Sequence, residues 1–189
     1  MPIQFRARTS HDPRMADNST ADDNLAPRWA VPPLRFVKES RINAPPAAVF
    51  AFHESPAALT QLIPPWESMR VVESPGSLAV GSRVVLRGKV GPIPVEWIAI
   101  HTEYAPPHLF ADRQASGPFA YWLHRHHMVD DGHGGTLLRD EIEYELPLGL
   151  NGRYLGASFI RRKLNRMFDY RHETTRRLVE SAASGPTAD

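Results

Sequence analysis

Between Tyr121 and Tyr144 the chain reads YWLHRHHMVDDGHGGTLLRDEIEY. It carries two imidazoles two residues apart, His124 and His126, and a carboxylate, Asp140, beyond a Gly-rich turn. Four chemistries suit that set. The groups can hydrogen-bond one another, fix the polar end of a ligand, or move a proton beside a ligand carbonyl with Asp140 orienting the imidazole. They can also begin a His-x-His metal site. A metal needs a third protein donor, and the spacing identifies none. The expectation is therefore no metal and no cofactor.

Placement of these groups follows from strand periodicity. Leu138, Asp140, Ile142, Tyr144 and Leu146 share one face; Arg139, Glu141, Glu143 and Glu145 share the other. Side chains alternate across a strand, so the charged set is solvated and Asp140 is the one carboxylate on an apolar face. In the partner segment Trp122, His124, His126 and Met128 lie opposite Leu123, Arg125 and His127. That points both imidazoles inward, about 6.6 Å apart along the strand. Phe110, Asp112 and Gln114 face Arg113 across a third strand, so they too are expected inside. In a fourth, Trp97, Ala99, His101 and Glu103 share a face, and the pattern alone does not choose it. Buried polar groups left unpaired cost about 1–3 kcal/mol each. A seam of His101, Asp112, Gln114, His124, His126 and Asp140 must therefore bond to itself, to water or to a ligand.

The elements that hold this seam are punctuated by proline pairs at 32–33, 45–46, 64–65 and 106–107. Proline lacks an N–H and restrains the residue before it, so such pairs mark element edges. Leu34–Ile42 alternates as a strand. PPAAVFAFHE reads as a short helix with proline early. SPAALTQLI reads as a second, with Ser55 as N-cap and Pro56 at its first position. Strands are expected over 69–73, 83–90, 95–104, 109–115, 119–129 and 136–146, with turns at hairpin spacing. From Gly152 to about Ser181, Ile160, Leu164, Met167, Phe168, Thr175, Leu178 and Val179 form a helical apolar stripe. The class is α+β: a curved antiparallel sheet of about seven strands wrapped around a long C-terminal helix, with two short helices after the first strand. A bent sheet clasping one helix leaves a gap between them, so a central cavity is expected.

Composition excludes several functions. The chain has 189 residues, formal net charge +1 and no cysteine. Near-neutral charge is no nucleic-acid footprint. Without cysteine there is no disulfide framework, thiol nucleophile or thiolate metal site. No apolar run approaches a membrane span, so no stable membrane insertion is expected and a cytoplasmic location is the default. Residues 1–33 are polar and aperiodic and read as a disordered leader; 34–181 form the domain, and 182–189 a disordered tail. The DDGHGG turn leads into a strand, with no helix N-terminus to receive a phosphate. Ser82, Ser116 and Ser158 lack the context of a nucleophile. The Arg/Lys-rich run RYLGASFIRRKLNRMFDYRHETTRR reads as the solvated face of the last helix. Arg171, close to its stripe, suits either an acidic ligand group at a pocket mouth or a surface salt bridge, and Trp66 either an entrance or core packing.

The order of elements resembles the helix-grip fold of the START and polyketide cyclase/dehydrase (SRPBCC) superfamily. SRINAPPAAVFAFHESPAALTQLIPPW is similar to its opening strand and paired helices. GSRVVLRGKVGPIPVEW, HTEYAPPHLFADRQASGPFAYWLHRH and GGTLLRDEIEYELPLG are similar to its later strands, and MFDYRHETTRRL to its terminal helix. The likeness spans about 34–179, in a bacterial cyclase/dehydrase-like branch that includes domains fused to epimerase-like ones. It implies Trp97 and His101 inside, and a hydrophobic or amphipathic small molecule (lipid-, polyketide- or polycyclic-like) bound in the central cavity. Fold alone does not fix a reaction. Three readings follow: a ligand-binding protein, a cyclase/dehydrase-type enzyme using His124, His126 and Asp140, or a non-catalytic interaction domain. The expected ligand contacts are Trp97, His101, Phe110, Asp112, Gln114, Phe119, Trp122, His124, His126, Asp140, Tyr144 and Arg171.

Overall fold

Alternating side chains and proline-bounded turns build one seven-stranded sheet in the computed structural model, which describes residues 31–184. The strands are β1 (Leu34–Ile42), β2 (Arg70–Glu73), β3 (Arg83–Val90), β4 (Ile93–Ala105), β5 (Leu109–Ser116), β6 (Tyr121–Asp130) and β7 (Thr136–Glu145). Their order is β1-β7-β6-β5-β4-β3-β2, and every neighbouring pair is antiparallel. Helices α1 (Pro46–Glu54) and α2 (Ala58–Gln61) follow β1, and α3 (Gly149–Ala183) closes the chain. This is the expected helix-grip architecture. The expected leader lies, but for its last residues, outside the described part. Of the expected tail, residues 182 and 183 continue α3 and 185–189 lie outside.

Local chemistry sets the elements. Pro45 is extended and Pro46 opens α1, where its missing N–H costs no hydrogen bond. Pro46, Val49 and Phe50 form the buried face of that helix. The second helix departs from expectation. Ser55 is the C-cap of α1, its N–H donating to the Phe52 carbonyl, and α2 is a single turn capped by Ala57. The residue before a proline is pushed out of the helical region. Ser55 accordingly sits at φ −66, ψ 140, so Pro56 makes a turn rather than a helix start. In α3, Leu164, Phe168, His172, Thr175 and Val179 are buried. Steps of three and four put them on one face, which packs on β1, β7 and α1.

Two apolar clusters lie on the concave side. One gathers Ile42, Val49, Phe50, Phe110, Met128, Leu138 and Val179. The other gathers Phe36, Trp122, Ile142, Tyr144, Leu146, Leu164 and Phe168. Along β6 the order is Trp122, His124, His126, Met128, and along β7 it is Ile142, Asp140, Leu138. The polar residues therefore form a layer between the clusters.

One bulge re-aims β4. His101 pairs with Asp112 and Glu103 with Ala111, so Thr102 is the extra residue. Past it the faces swap. Glu103 accepts from Arg125 on the outside, and Tyr104 turns in to meet Phe50 at 5.9 Å. Glu103 is thus not on the face of His101, contrary to strict alternation. Gly88 serves another close approach: a Cβ there would lie 2.5 Å from the Ser68 carbonyl oxygen and 2.8 Å from Met69 Cα. Ser68 Oγ is tied in turn to the Lys89 N–H and carbonyl. Gly88→Ala should cost about 1–3 kcal/mol, lowering Tm by several degrees in a calorimetric scan. An unchanged Tm would show that this crossing is loose.

Candidate functional site

The polar layer is centred on Asp140, 4% exposed between the two apolar clusters. Strand register brings its neighbours: Asp140 pairs with His126 across β6–β7, and His124 with Asp112 across β5–β6. Asp140 Oδ1 accepts from His124 Nε2 at 2.8 Å, and Oδ2 from His172 Nε2 at 2.6 Å. His126 Nδ1 lies 2.6 Å from Oδ1 but off the line of a straight N–H···O bond. On the far side Asp112 Oδ2 is 3.7 Å from His124 Nδ1 and from His126 Nε2. These three donor atoms lie within 4.8 Å of one another, a grouping able to hold a metal ion.

Aromatic rings fix the imidazoles. His126 stacks on Phe110, with ring centres 4.0 Å apart and planes 14° apart. His124 meets the edge of Phe168 at 5.3 Å. His101 is buried on β4 and gives its Nδ1–H to the Ser82 carbonyl. His53 on α1 gives its Nδ1–H to the Val49 carbonyl and lies 6.0 Å from the His126 ring.

Charge in the layer follows from burial against pairing. Burial pushes the Asp140 carboxyl up, but the positive charge of His126 and the imidazole hydrogen bonds outweigh it and hold Asp140 well below the carboxylate range. The same contest leaves Asp112 lowered. Burial lowers His126 as well, yet Asp140 and Asp112 on either side prevail and raise it. Burial and then His126 lower His124 despite Asp140. Burial lowers His101, and it lowers His53 to about 4 with help from His126.

The other expected contacts divide into three groups. Trp97, Phe119, Trp122 and Tyr144 form an aromatic patch in the second cluster, with Trp97 and Trp122 perpendicular at 5.0 Å. Gln114 spends its amide on the β5–β6 turn, donating to the Phe119 carbonyl and accepting from the Phe119 N–H. Arg171 donates to the Leu62 carbonyl and lies over the Phe168 ring, and burial lowers its pKa against the pull of Asp140 and Asp112. Sequence reasoning missed His172 and His53. Both were legible in principle: His172 falls four residues after Phe168 on the α3 stripe, and His53 four after Val49 on α1.

Two open grooves flank α3. One, about 700 Å³, runs between β1 and α3, with Lys38, Ser40, Trp66, Arg166, Tyr170 and His172 among its walls. The other, about 640 Å³, lies between α3 and the loops at Trp66–Ser68 and Gly91, with Phe159, Arg162, Lys163 and Arg166 along the helix. No helix among the described residues is long and apolar enough to cross a membrane.

A curved antiparallel sheet gripping a long helix over a buried polar layer defines a helix-grip ligand-binding domain. The family profile described as polyketide cyclase / dehydrase and lipid transport matches residues 42–169, and the chain belongs to that family. A protein from Thermus thermophilus is similar at 18% identity and TM-score 0.62, over 79% of this chain and 99% of that one. Norcoclaurine synthase from Thalictrum flavum, solved with dopamine and hydroxybenzaldehyde, is similar at 16% identity and TM-score 0.60, over 78% and 87%. A nucleoside-diphosphate sugar epimerase from Corynebacterium glutamicum is similar at 25% identity and TM-score 0.59; the match covers 74% of this chain and only 28% of the epimerase. No curated protein sequence matches the chain significantly.

Asp140→Asn should strip the layer of its central charge and present an amide N–H to imidazole donors. We expect a loss of about 3–5 kcal/mol in urea unfolding; a loss under about 1 kcal/mol would mean the imidazoles re-pair without it. His53 adds a pH signature in EDTA-treated protein. Its folded pKa of about 4 lies below the unfolded ~6.5, so unfolding takes up a proton between those values. Its contribution is full above pH ~6.5 and is lost as pH falls toward 4, on the order of 2–3 kcal/mol. His53→Phe should flatten the stability–pH curve in that window; an unchanged slope would assign the dependence elsewhere.

Proposed function

We propose that this domain acts in the cytoplasm and binds a hydrophobic or amphipathic small molecule (lipid-, polyketide- or polycyclic-like) between sheet and α3. The carrying observation is the polar layer itself: buried carboxylate and imidazoles set between two apolar clusters, beside the groove along α3 that His172 borders. An apolar ligand body suits the aromatic patch, and a hydroxyl or carbonyl suits the imidazoles. The grooves have the volume of ligand sites generally, about 300–1,000 Å³. Arg162 and Arg166 along them suit an acidic ligand end, whereas Lys38 is paired with Asp169. Trp66 borders both grooves and carries the Arg166 guanidinium 4.3 Å above its ring, an aromatic and cationic pair that suits an anionic ring system.

A second reading, acid–base catalysis of cyclase/dehydrase type, is favoured by one feature. Of the three imidazoles around Asp140, the His126 side chain is the most accessible, 12% against 4% for His124 and 2% for His172. It is therefore the ring best placed to reach a ligand carbonyl. The partial match to a longer epimerase leaves room for a third role, as a partner domain.

The test is intact-mass analysis of freshly purified protein for a retained ligand, followed by titration with the anionic polycycle 1-anilinonaphthalene-8-sulfonate. One saturable site in the micromolar range is expected, weakened about fivefold or more in Trp66→Ala and in Arg166→Ala. Non-saturable binding, or binding indifferent to both changes, would sink the proposal. Once a ligand is known, a His124→Ala/His126→Ala pair that binds it without turnover supports the enzyme. Loss of affinity alone supports a carrier.

A further inference from the structure

Three groups able to donate electron pairs converge at one edge of the polar layer, His126 once a metal has displaced the proton that Asp140 and Asp112 favour on its ring. Asp112 Oδ2, His124 Nδ1 and His126 Nε2 are mutually close, and both nitrogens stand 3.7 Å from the oxygen. That is beyond hydrogen-bond length. His124 gives its Nε2 proton to Asp140, so the neutral ring presents a bare Nδ1 lone pair to the Asp112 carboxylate. Two acceptors facing each other across low dielectric repel, and a cation between them removes the repulsion. The separation suits one. At a metal–ligand length of ~2.1 Å, the Asp112–His124 and Asp112–His126 pairs at 3.7 Å each subtend about 120° at the ion, within reach of a distorted tetrahedral site; the two histidine nitrogens lie within 4.8 Å of each other.

The surroundings supply what a metal site needs beyond its ligands. The other nitrogen of each imidazole lies against Asp140 Oδ1. A carboxylate behind a ligating histidine fixes ring orientation and raises its basicity. Phe110 stacked on His126 and Phe168 against His124 prevent either ring from swinging away. Asp112 is the most exposed of the three side chains, at 17%. The missing third donor of the sequence reading comes from β5, across a strand pairing that spacing does not display.

We propose that Asp112, His124 and His126 bind a divalent first-row transition metal of the Zn²⁺ type. Two imidazoles and one carboxylate favour such ions over Ca²⁺ or Mg²⁺. Three protein donors leave a position open to water or to a ligand oxygen. Asp140 is a positioning residue for the two imidazoles. The site does not rest on the small-molecule reading, because it is tested with metal alone.

The experiment strips full-length protein with EDTA and titrates it with ZnCl₂ by calorimetry and with CoCl₂ by visible absorption. One equivalent of Zn²⁺ should bind with Kd below about 10 µM, and Co²⁺ should develop d–d bands of a low-symmetry site. Asp112→Ala should weaken Zn²⁺ at least ~10-fold, and His124→Ala and His126→Ala more. Asp140→Asn should weaken it about 10–100-fold and shift the Co²⁺ bands. His133→Ala, in the exposed β6–β7 hairpin, should change nothing. Weaker or sub-stoichiometric binding, absence of the bands, or an unaltered Asp112→Ala variant would overturn the proposal. Should the histidine variants fail to fold by circular dichroism, Asp112→Ala and the Co²⁺ spectrum of the unaltered protein decide it.

Discussion

One buried carboxylate joins the two halves of this fold. Asp140 stands on β7, takes one hydrogen bond from His124 on β6 and another from His172 on α3. A lone charge in an apolar interior is too costly to persist, so each imidazole is there on condition that Asp140 is, and the reverse. The arrangement also fixes register. Sliding α3 by one turn, ~5.4 Å, in the direction that brings Phe168 to the position of His172 would leave Asp140 Oδ2 without a donor, and the opposite slide would force the longer Arg176 guanidinium into the space of an imidazole. Apolar contacts alone tolerate such slippage far better, because they are not directional.

The layer around Asp140 also explains why the interior is divided. Apolar side chains on β6, β7 and α3 cannot run unbroken past a charged centre without leaving polar atoms unpaired. They therefore segregate into two clusters, above and below. Each cluster contributes a ring to the layer: Phe110 from one lies flat on His126, and Phe168 from the other meets His124 and His172 edge-on. The imidazoles are thus oriented by hydrogen bonds on one side and by aromatic faces on the other. A site intended to present nitrogen lone pairs in fixed directions needs both.

Much of this was legible in the sequence because β6 and β7 are regular. Period two alone turns His124, His126 and Asp140 inward, and the structure places them there. What defeated the pattern was local. A bulge at Thr102 breaks the alternation of β4, and no residue type announces it. Ser55 has the side chain of an N-cap, but the proline after it holds it extended and ends one helix instead of starting another. Reading α3 as an apolar stripe passed over His172, which occupies a stripe position while bearing a polar ring. The pairing of Asp112 with His124 depends on the register of two strands joined by a turn, and reading each strand's faces separately does not display it.

The helix that completes the layer also outruns the core it covers. Its buried face starts at Leu164, fifteen residues in, while Tyr154, Leu155 and Phe159 before it stand exposed. One side of these first turns is held by Arg153 on Glu145, by Gly156 close to Leu146 and by the half-buried Ile160; on the other side single exposed apolar residues would need no explanation, but a run of them does. Ile93 and Val90 at the β3–β4 hairpin are exposed as well, and that hairpin and Phe159 share the second groove. The apolar surface and the Arg162, Lys163 and Arg166 cations therefore lie at the same end of the helix, the end away from Asp140. An amphipathic molecule approaching there meets greasy surface and positive charge before it meets the imidazoles.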